Sequence, residues 1–229
     1  MAVKDFYKGI TKIRKAFLMQ MFSYLISLIT LLSLANLRLT PPANLEDITS
    51  KLPYIAAIGL ALLTLFIVAL ISWIYKIMGW GDLCKSSLGR KFYCIVRICI
   101  IALPIISFAL AIIIGVEATF KALIQGTVTQ MVYPGFTSLV NTIFYSTFII
   151  EGIALLDLYL KYGPAYLGMG SILYLIFTII GVFLQGFRLH ATLIANSIGC
   201  ISALLIFLGL TTLRSKVISL GGGNHGGKI

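Results

Sequence analysis

Carboxylates are few in this chain: 7 Asp and Glu stand in 229 residues, against 18 Lys and Arg. Charged residues of both signs make up only 11% of the chain, where a water-exposed globule would carry about a quarter. A soluble domain is thereby excluded. Histidine is scarcer still, limited to His190 and His225. Such isolation rules out a His-Glu-x-x-His zinc motif and leaves no histidines inside spans for a b-type haem. Gly-x-Ser-x-Gly and P-loop motifs are missing, and no paired carboxylates stand beside a histidine. The expectation is a protein that is not an enzyme and holds no metal or cofactor. Cysteine is confined to Cys84, Cys94, Cys99 and Cys200. None makes a Cys-x-x-Cys pair, and Cys94 and Cys99 face different directions on a helix, so all four read as small apolar packing residues.

Apolar residues are what the chain has in quantity: 59% of it, with a mean hydropathy of +1.03. Six stretches are long enough, at about 20 residues, to cross a hydrocarbon core about 30 Å thick. They run over residues 16–37, 54–78, 93–116, 139–160, 168–186 and 191–213. Each must be helical, because lipid offers an unpaired backbone amide no partner. Continuous rather than alternating apolarity argues against a barrel. The reading is an all-α integral membrane bundle of six transmembrane helices. Its first apolar stretch is too long for a signal-peptide core and lacks a small-x-small cleavage site, so it is expected to stay as the first helix.

The basic residues are sorted to one side. Lys4, Lys8, Lys12, Arg14 and Lys15 precede the first span, and Lys76, Lys85, Arg90, Lys91 and Arg97 flank the turn after the second. Lys161, Arg214, Lys216 and Lys228 join them, against Arg38, Lys51, Lys121 and Arg188 opposite. By positive-inside sorting both termini lie in the cytoplasm, as expected of a multi-pass protein of the cell membrane. The cations are expected to meet anionic headgroups of the bilayer, each adding about 1 kcal/mol. Residues 1–15 read as a basic amphipathic cytoplasmic segment, with Phe6, Ile10, Ile13 and Phe17 at helical spacing. Residues 16–213 form the transmembrane domain, and 214–229 read as a flexible glycine-rich cytoplasmic tail. The weakly polar connection 117–138 reads as an interfacial or re-entrant element.

Against this apolar background Glu151 stands out, near the middle of the fourth span. A carboxyl at such depth costs about 2 kcal/mol or more unless paired, protonated or wetted. Its candidate partners by depth are Arg97, Asn196 and the hydroxyls of Ser146, Thr147 and Thr178. Glu151, Asn196, Arg97 and Asp157 are the candidates for an intramembrane ion, proton or polar path. Asp157 also has Lys161 at i+4, the spacing of a surface ion pair. Two stripes of small residues, Ser107, Ala111 and Gly115 in the third span and Ala191, Ala195, Gly199 and Ala203 in the sixth, are expected to face other helices at close range. Asn196 beside the second stripe is expected to hydrogen-bond between helices. Pro104 is expected to kink the third span by removing a backbone donor.

The run Gly9-Ile10-Thr11-Lys12-Ile13-Arg14-Lys15-Ala16-Phe17 resembles the start of the archaeal multi-pass membrane protein family of unknown function catalogued as DUF973. The turn Gly79-Trp80-Gly81-Asp82-Leu83-Cys84-Lys85 and the segment Tyr159-Leu160-Lys161-Tyr162-Gly163 are similar in style to that family. The resemblance implies an archaeal source and a polytopic topology, and transfers no catalytic residue. On topology alone the chain is also similar to the small polytopic subunit of archaeal DNA-import systems. The functional expectation is a transport or translocation component, a small carrier or a pore-forming subunit, with Glu151 in or near the path. The alternatives are a membrane scaffold or assembly subunit, and a subunit of a DNA-import apparatus. Other membrane-protein subunits or self-association are the expected protein partners, and nucleic acid enters only as a translocated substrate.

Overall fold

The computed structural model describes residues 2–36, 45–86, 91–125, 134–183 and 189–222, with side chains described for 4–33, 53–54, 56–86, 91–116, 138–183 and 192–218. Six helices follow one another: α1 (Ala2–Asn36), α2 (Leu45–Lys85), α3 (Lys91–Gln125), α4 (Pro134–Tyr162), α5 (Ala165–Phe183) and α6 (Leu189–Gly222). All six contain stretches long and apolar enough to cross a membrane. Among the described residues only Ser86, Gly163 and Pro164 lie outside a helix, and no strand is present. The all-α bundle of six membrane-crossing helices is thus the fold of this chain.

Each helix packs on its neighbours in sequence, and α6 closes back on α1, so the six form a ring. Small residues set how near the backbones come. A Cβ on Gly199 would lie 2.9 Å from the Tyr24 ring of α1, and Gly209 of α6 sits against the Leu167 backbone of α5, where a Cβ would collide. With no hydrophobic effect between helices in lipid, such proximity supplies the dispersion that holds them. The α6 stripe therefore faces a neighbour as expected at Gly199 and at Ala203, which is buried; the Ala191 side chain lies outside the described residues. The α3 stripe behaves otherwise. Ser107 donates to the Val140 carbonyl of α4 at 3.0 Å, but Ala111 and Gly115 are exposed, and a Cβ on Gly115 would meet nothing within 4 Å. A small residue lets helices approach only where a neighbour is near, and among the described residues nothing fills the space a Gly115 Cβ would take.

The core is concentrated towards the end that carries both termini. Phe6, Ile10, Ile13 and Phe17 of α1 are all fully buried, together with Trp80, Leu83, Tyr93, Leu155, Leu158 and Leu210. The amphipathic stripe of residues 1–15 is accordingly no separate surface element: it belongs to α1 and packs inward, with Phe6 5.1 Å from the Tyr162 ring and Gly9 against Gly79 of α2. The expected flexible tail is also corrected. The helix α6 runs on to Gly222, because Leu213 and Val217 extend its buried face and Arg214 donates to the Tyr7 hydroxyl at 2.7 Å; 223–229 lie outside the described residues. At the other end Glu117–Gln125 continue α3 and Pro134 opens α4, so the part of the 117–138 connection still unassigned is 126–133, outside the described residues. Between α4 and α5 the chain turns at Gly163, whose φ of +72° suits a residue without a Cβ, and Gly163 N–H donates to the Tyr159 carbonyl at 2.7 Å.

Cys84, at the end of α2, and Cys94, in the first turn of α3, form a disulfide. The reading of all four cysteines as unpaired packing residues is corrected for these two. The ten-residue separation spans a helix–turn–helix reversal, which brings together positions that no linear motif pairs. Cys99 and Cys200 are free thiols, half-buried.

Candidate functional site

Glu151 lies on the inward face of α4, in the series Thr147, Glu151, Leu155 and Leu158, which recurs at helical spacing and is buried throughout. Its relative exposure is 1%, and both oxygens are engaged. Lys76 of α2 places Nζ 2.5 Å from Oε2, the Tyr174 hydroxyl of α5 donates to the same oxygen at 2.9 Å, and the Trp80 indole N–H reaches Oε1 at 3.4 Å. Every partner proposed for Glu151 from depth alone is corrected: the partner is Lys76. In sequence that lysine reads with the basic turn after the second span, although it stands inside the span. Ser72, Lys76 and Trp80 share one buried face of α2, and this i, i+4, i+8 series is the signal that locates it.

The lysine is 5% exposed, and its charge is wrapped in aromatic rings as well as by the carboxylate. Its Nζ lies 4.6 Å from the Phe17 ring centroid and 5.6 Å from those of Phe148 and Tyr174. It also approaches the Tyr174 hydroxyl at 3.3 Å, while Gln20 of α1 donates to Tyr24 at 2.9 Å and to Tyr174 at 3.4 Å. One polar network thus ties α1, α2, α4 and α5 together across the ring. Removing two charges from water costs several kcal/mol per ion, and the pair recovers this only when geometry and added hydrogen bonds are good. Here both conditions are met.

The other sequence candidates lie apart from this network. Asp157 accepts a hydrogen bond from the buried Tyr93 hydroxyl of α3 at 2.8 Å, about two turns along α4 towards the basic end. Arg97 lies over Gly81 of α2, where a Cβ would come within 3.2 Å of its Nε, so glycine there makes room for the guanidinium. Asn196 donates to the Thr192 carbonyl of its own helix at 3.0 Å, the local i−4 bond that short polar side chains make within helices, rather than between helices as expected. It lines a shallow crevice with Ser23 and Tyr24.

Above the pair is a cavity of about 730 Å³, enclosed by α1, α2, α3 and α4. Its walls are aromatic and aliphatic, with Phe66, Leu70 and Trp73 from α2, Pro104 and Phe108 from α3, and Phe144 and Phe148 from α4. Its polar lining includes Gln20, Ser23, Tyr24, Ser72, Lys76, Ser107, Thr147 and Glu151. Phe66, Phe108 and Phe144 are also exposed on the bundle, so the cavity opens in the half away from the termini. Pro104 acts here in a way its position foretold only in part. The helix continues through it, and the carbonyl of Ile100, which a proline at i+4 leaves without a helical donor, accepts the Trp73 indole N–H at 2.8 Å. Among the described residues no cluster of His, Cys, Asp and Glu is arranged to hold a metal ion.

Six apolar helices joined in a ring around a buried ion pair make this chain a polytopic membrane protein of the all-α class. No family model, no curated protein and no solved structure matches the chain.

Proposed function

We propose that the protein is a carrier-type transport component in which the Lys76–Glu151–Tyr174 network is the closed gate at the base of a substrate cavity. The observation that carries this reading is the stacking of parts along the bundle. A cavity of about 730 Å³ ends on a charged pair, beneath which the ring is filled by Trp80, Tyr93, Leu155 and Leu158. Glu151 in this reading is no free ion site: its oxygens are occupied, and its task is to hold α4 to α2 and α5 until the contacts are exchanged. Gates built from a few polar contacts suit rocking of one part of a bundle against another around a midplane site. The chain supplies no nucleotide-binding motif, so the energy comes from a gradient or a partner protein. The charge asymmetry supports cytoplasmic termini and a gate closed towards the cytoplasm.

A scaffold without transport activity is the competing reading, and the sealing of Glu151 favours it, since a pair that only fastens helices needs no exit. Cysteine accessibility separates the two. In proteoliposomes, with Cys99 and Cys200 replaced by serine, Ala111→Cys on the cavity wall is expected to react with a membrane-impermeant maleimide from the side opposite the termini. Ala154→Cys, fully buried below the gate, is expected to react slowly from the basic side and at least about tenfold faster when Glu151→Gln releases the contact. An Ala154→Cys protein that stays unreactive in both backgrounds removes alternating access and leaves the scaffold.

A further inference from the structure

We infer that Arg14, Arg214 and Tyr7 form a phosphoryl-binding site in the seam where α6 closes on α1, taking the phosphate of an anionic lipid headgroup or of a small soluble compound. The inference stands apart from the cavity and its gate, because the seam belongs to α1 and α6 and the cavity to α1, α2, α3 and α4.

The two helices run in opposite directions here. Tyr24 of α1 lies against Gly199 of α6, Arg14 against Phe207, and Tyr7 against Arg214. Arg14 and Arg214 stand just outside the apolar limits of the first and sixth spans, on the side where the basic residues gather. That is headgroup depth, where basic pockets between helices take anionic headgroups. Each guanidinium is held by the other helix. Arg14 lies 5.6 Å from the Phe207 ring centroid, and Arg214 lies 5.1 Å from that of Tyr7 while its Nε donates to the Tyr7 hydroxyl at 2.7 Å.

What the pair lacks is a counter-ion. Among the described residues neither arginine makes a salt bridge. The groups that act on the Arg14 charge are Arg214, which repels it, and Tyr7; no carboxylate is among them. Two like charges held together cost free energy, and an anion between them recovers it.

The donors for such an anion are free. Of the Arg14 nitrogens only Nε is sealed from solvent, and among the described residues neither arginine spends a terminal nitrogen on a hydrogen bond. The ring contacts offset charge without using up any N–H. The Tyr7 oxygen accepts from Arg214, which leaves the Tyr7 proton to be given elsewhere. A site made of donors selects an acceptor-only group, and planar guanidinium forks suit phosphoryl oxygens in a way that ammonium groups do not. A carboxylate offers two oxygens to these side chains, and a phosphate monoester offers three.

The test is calorimetric binding to the full chain in a neutral detergent, with dioctanoyl phosphatidate, dioctanoyl phosphatidylcholine, octanoate and inorganic phosphate as probes. Phosphatidate is expected to saturate at one per chain and to bind about 10-fold or more tighter than phosphatidylcholine and octanoate. Inorganic phosphate is expected to compete with it. Equal affinity for the two assigns the site to a soluble phosphate, and a large preference for phosphatidate assigns it to lipid; either keeps the phosphoryl group. Arg14→Lys and Arg214→Lys retain the charge and remove the fork, and each is expected to weaken phosphatidate about 5- to 30-fold. Lys91→Gln, at the exposed start of α3 and away from the seam, is expected to change it less than about 2-fold. Octanoate bound as tightly as phosphatidate, binding that never saturates, or a loss in Lys91→Gln as large as in Arg14→Lys each overturns the site and leaves only the general pull of a basic surface. The probe series needs no substitution, so it decides even where a variant fails to fold.

Discussion

Glu151→Gln is expected to be among the most destabilising single-atom exchanges available in this chain. The substitution keeps shape and removes charge, leaving the Lys76 amine 5% exposed and without its counter-ion. Breaking one partner of a buried pair typically costs about 3–5 kcal/mol. The three rings around Nζ remain, the nearest at 4.6 Å, and each cation–π contact is worth about 0.5–2 kcal/mol. A net loss of about 2–4 kcal/mol follows. Lys76→Met is likewise expected to destabilise, because it leaves the Glu151 carboxyl buried with only the Tyr174 and Trp80 contacts. Replacing both at once, Lys76→Met with Glu151→Leu, is expected to recover most of the loss, since an apolar pair of similar volume needs no desolvation. The coupling in this double-mutant cycle is expected to exceed about 2 kcal/mol. Unfolding in mixed micelles, followed by tryptophan emission, reads it out well: the chain has only Trp73 and Trp80, and Trp80 itself donates to Glu151. A Glu151→Gln protein within about 1 kcal/mol of the parent, with a double variant no more stable than either single one, would refute the claim that this pair holds the helices.

Two further outcomes test the packing. Trp73→Phe strands the Ile100 carbonyl beside Pro104 and is expected to cost about 1–3 kcal/mol in the same assay, but clearly less in a Pro104→Ala background, where the restored N–H takes over the acceptor. Gly209→Ala, which drives a methyl into the Leu167 backbone, is expected to lose about 1–3 kcal/mol or to abolish assembly of α5 on α6, whereas Gly115→Ala is expected to be neutral or to gain up to about 1 kcal/mol; equal melting of the two variants would overturn this assignment of close approach.

Sequence alone was sufficient for the helices. A continuous apolar run in lipid has one way to satisfy its backbone, and that way is local, so six spans could be drawn without knowing what any of them touches. The cost of Glu151 was equally legible, because a carboxyl in an apolar run is expensive whatever its neighbours. The Gly199 and Ala203 part of the α6 stripe was readable too. What the tertiary structure alone decided was partnership. Lys76 was visible inside the second span yet was counted with the basic turn, since a long lysine stem allows a charge to reach the interface from such a position. Only the ring, by turning the Ser72–Lys76–Trp80 face inward against α4 and α5, traps the ammonium beside Glu151. The same holds for Cys84 with Cys94, for the Trp73 indole that replaces the donor missing at Pro104, and for the exposure of Ala111 and Gly115. Backbone hydrogen bonding within a span joins residues four apart, so composition foretells it; the burial of a charge is settled by a residue 75 positions away, and only packing chooses which one.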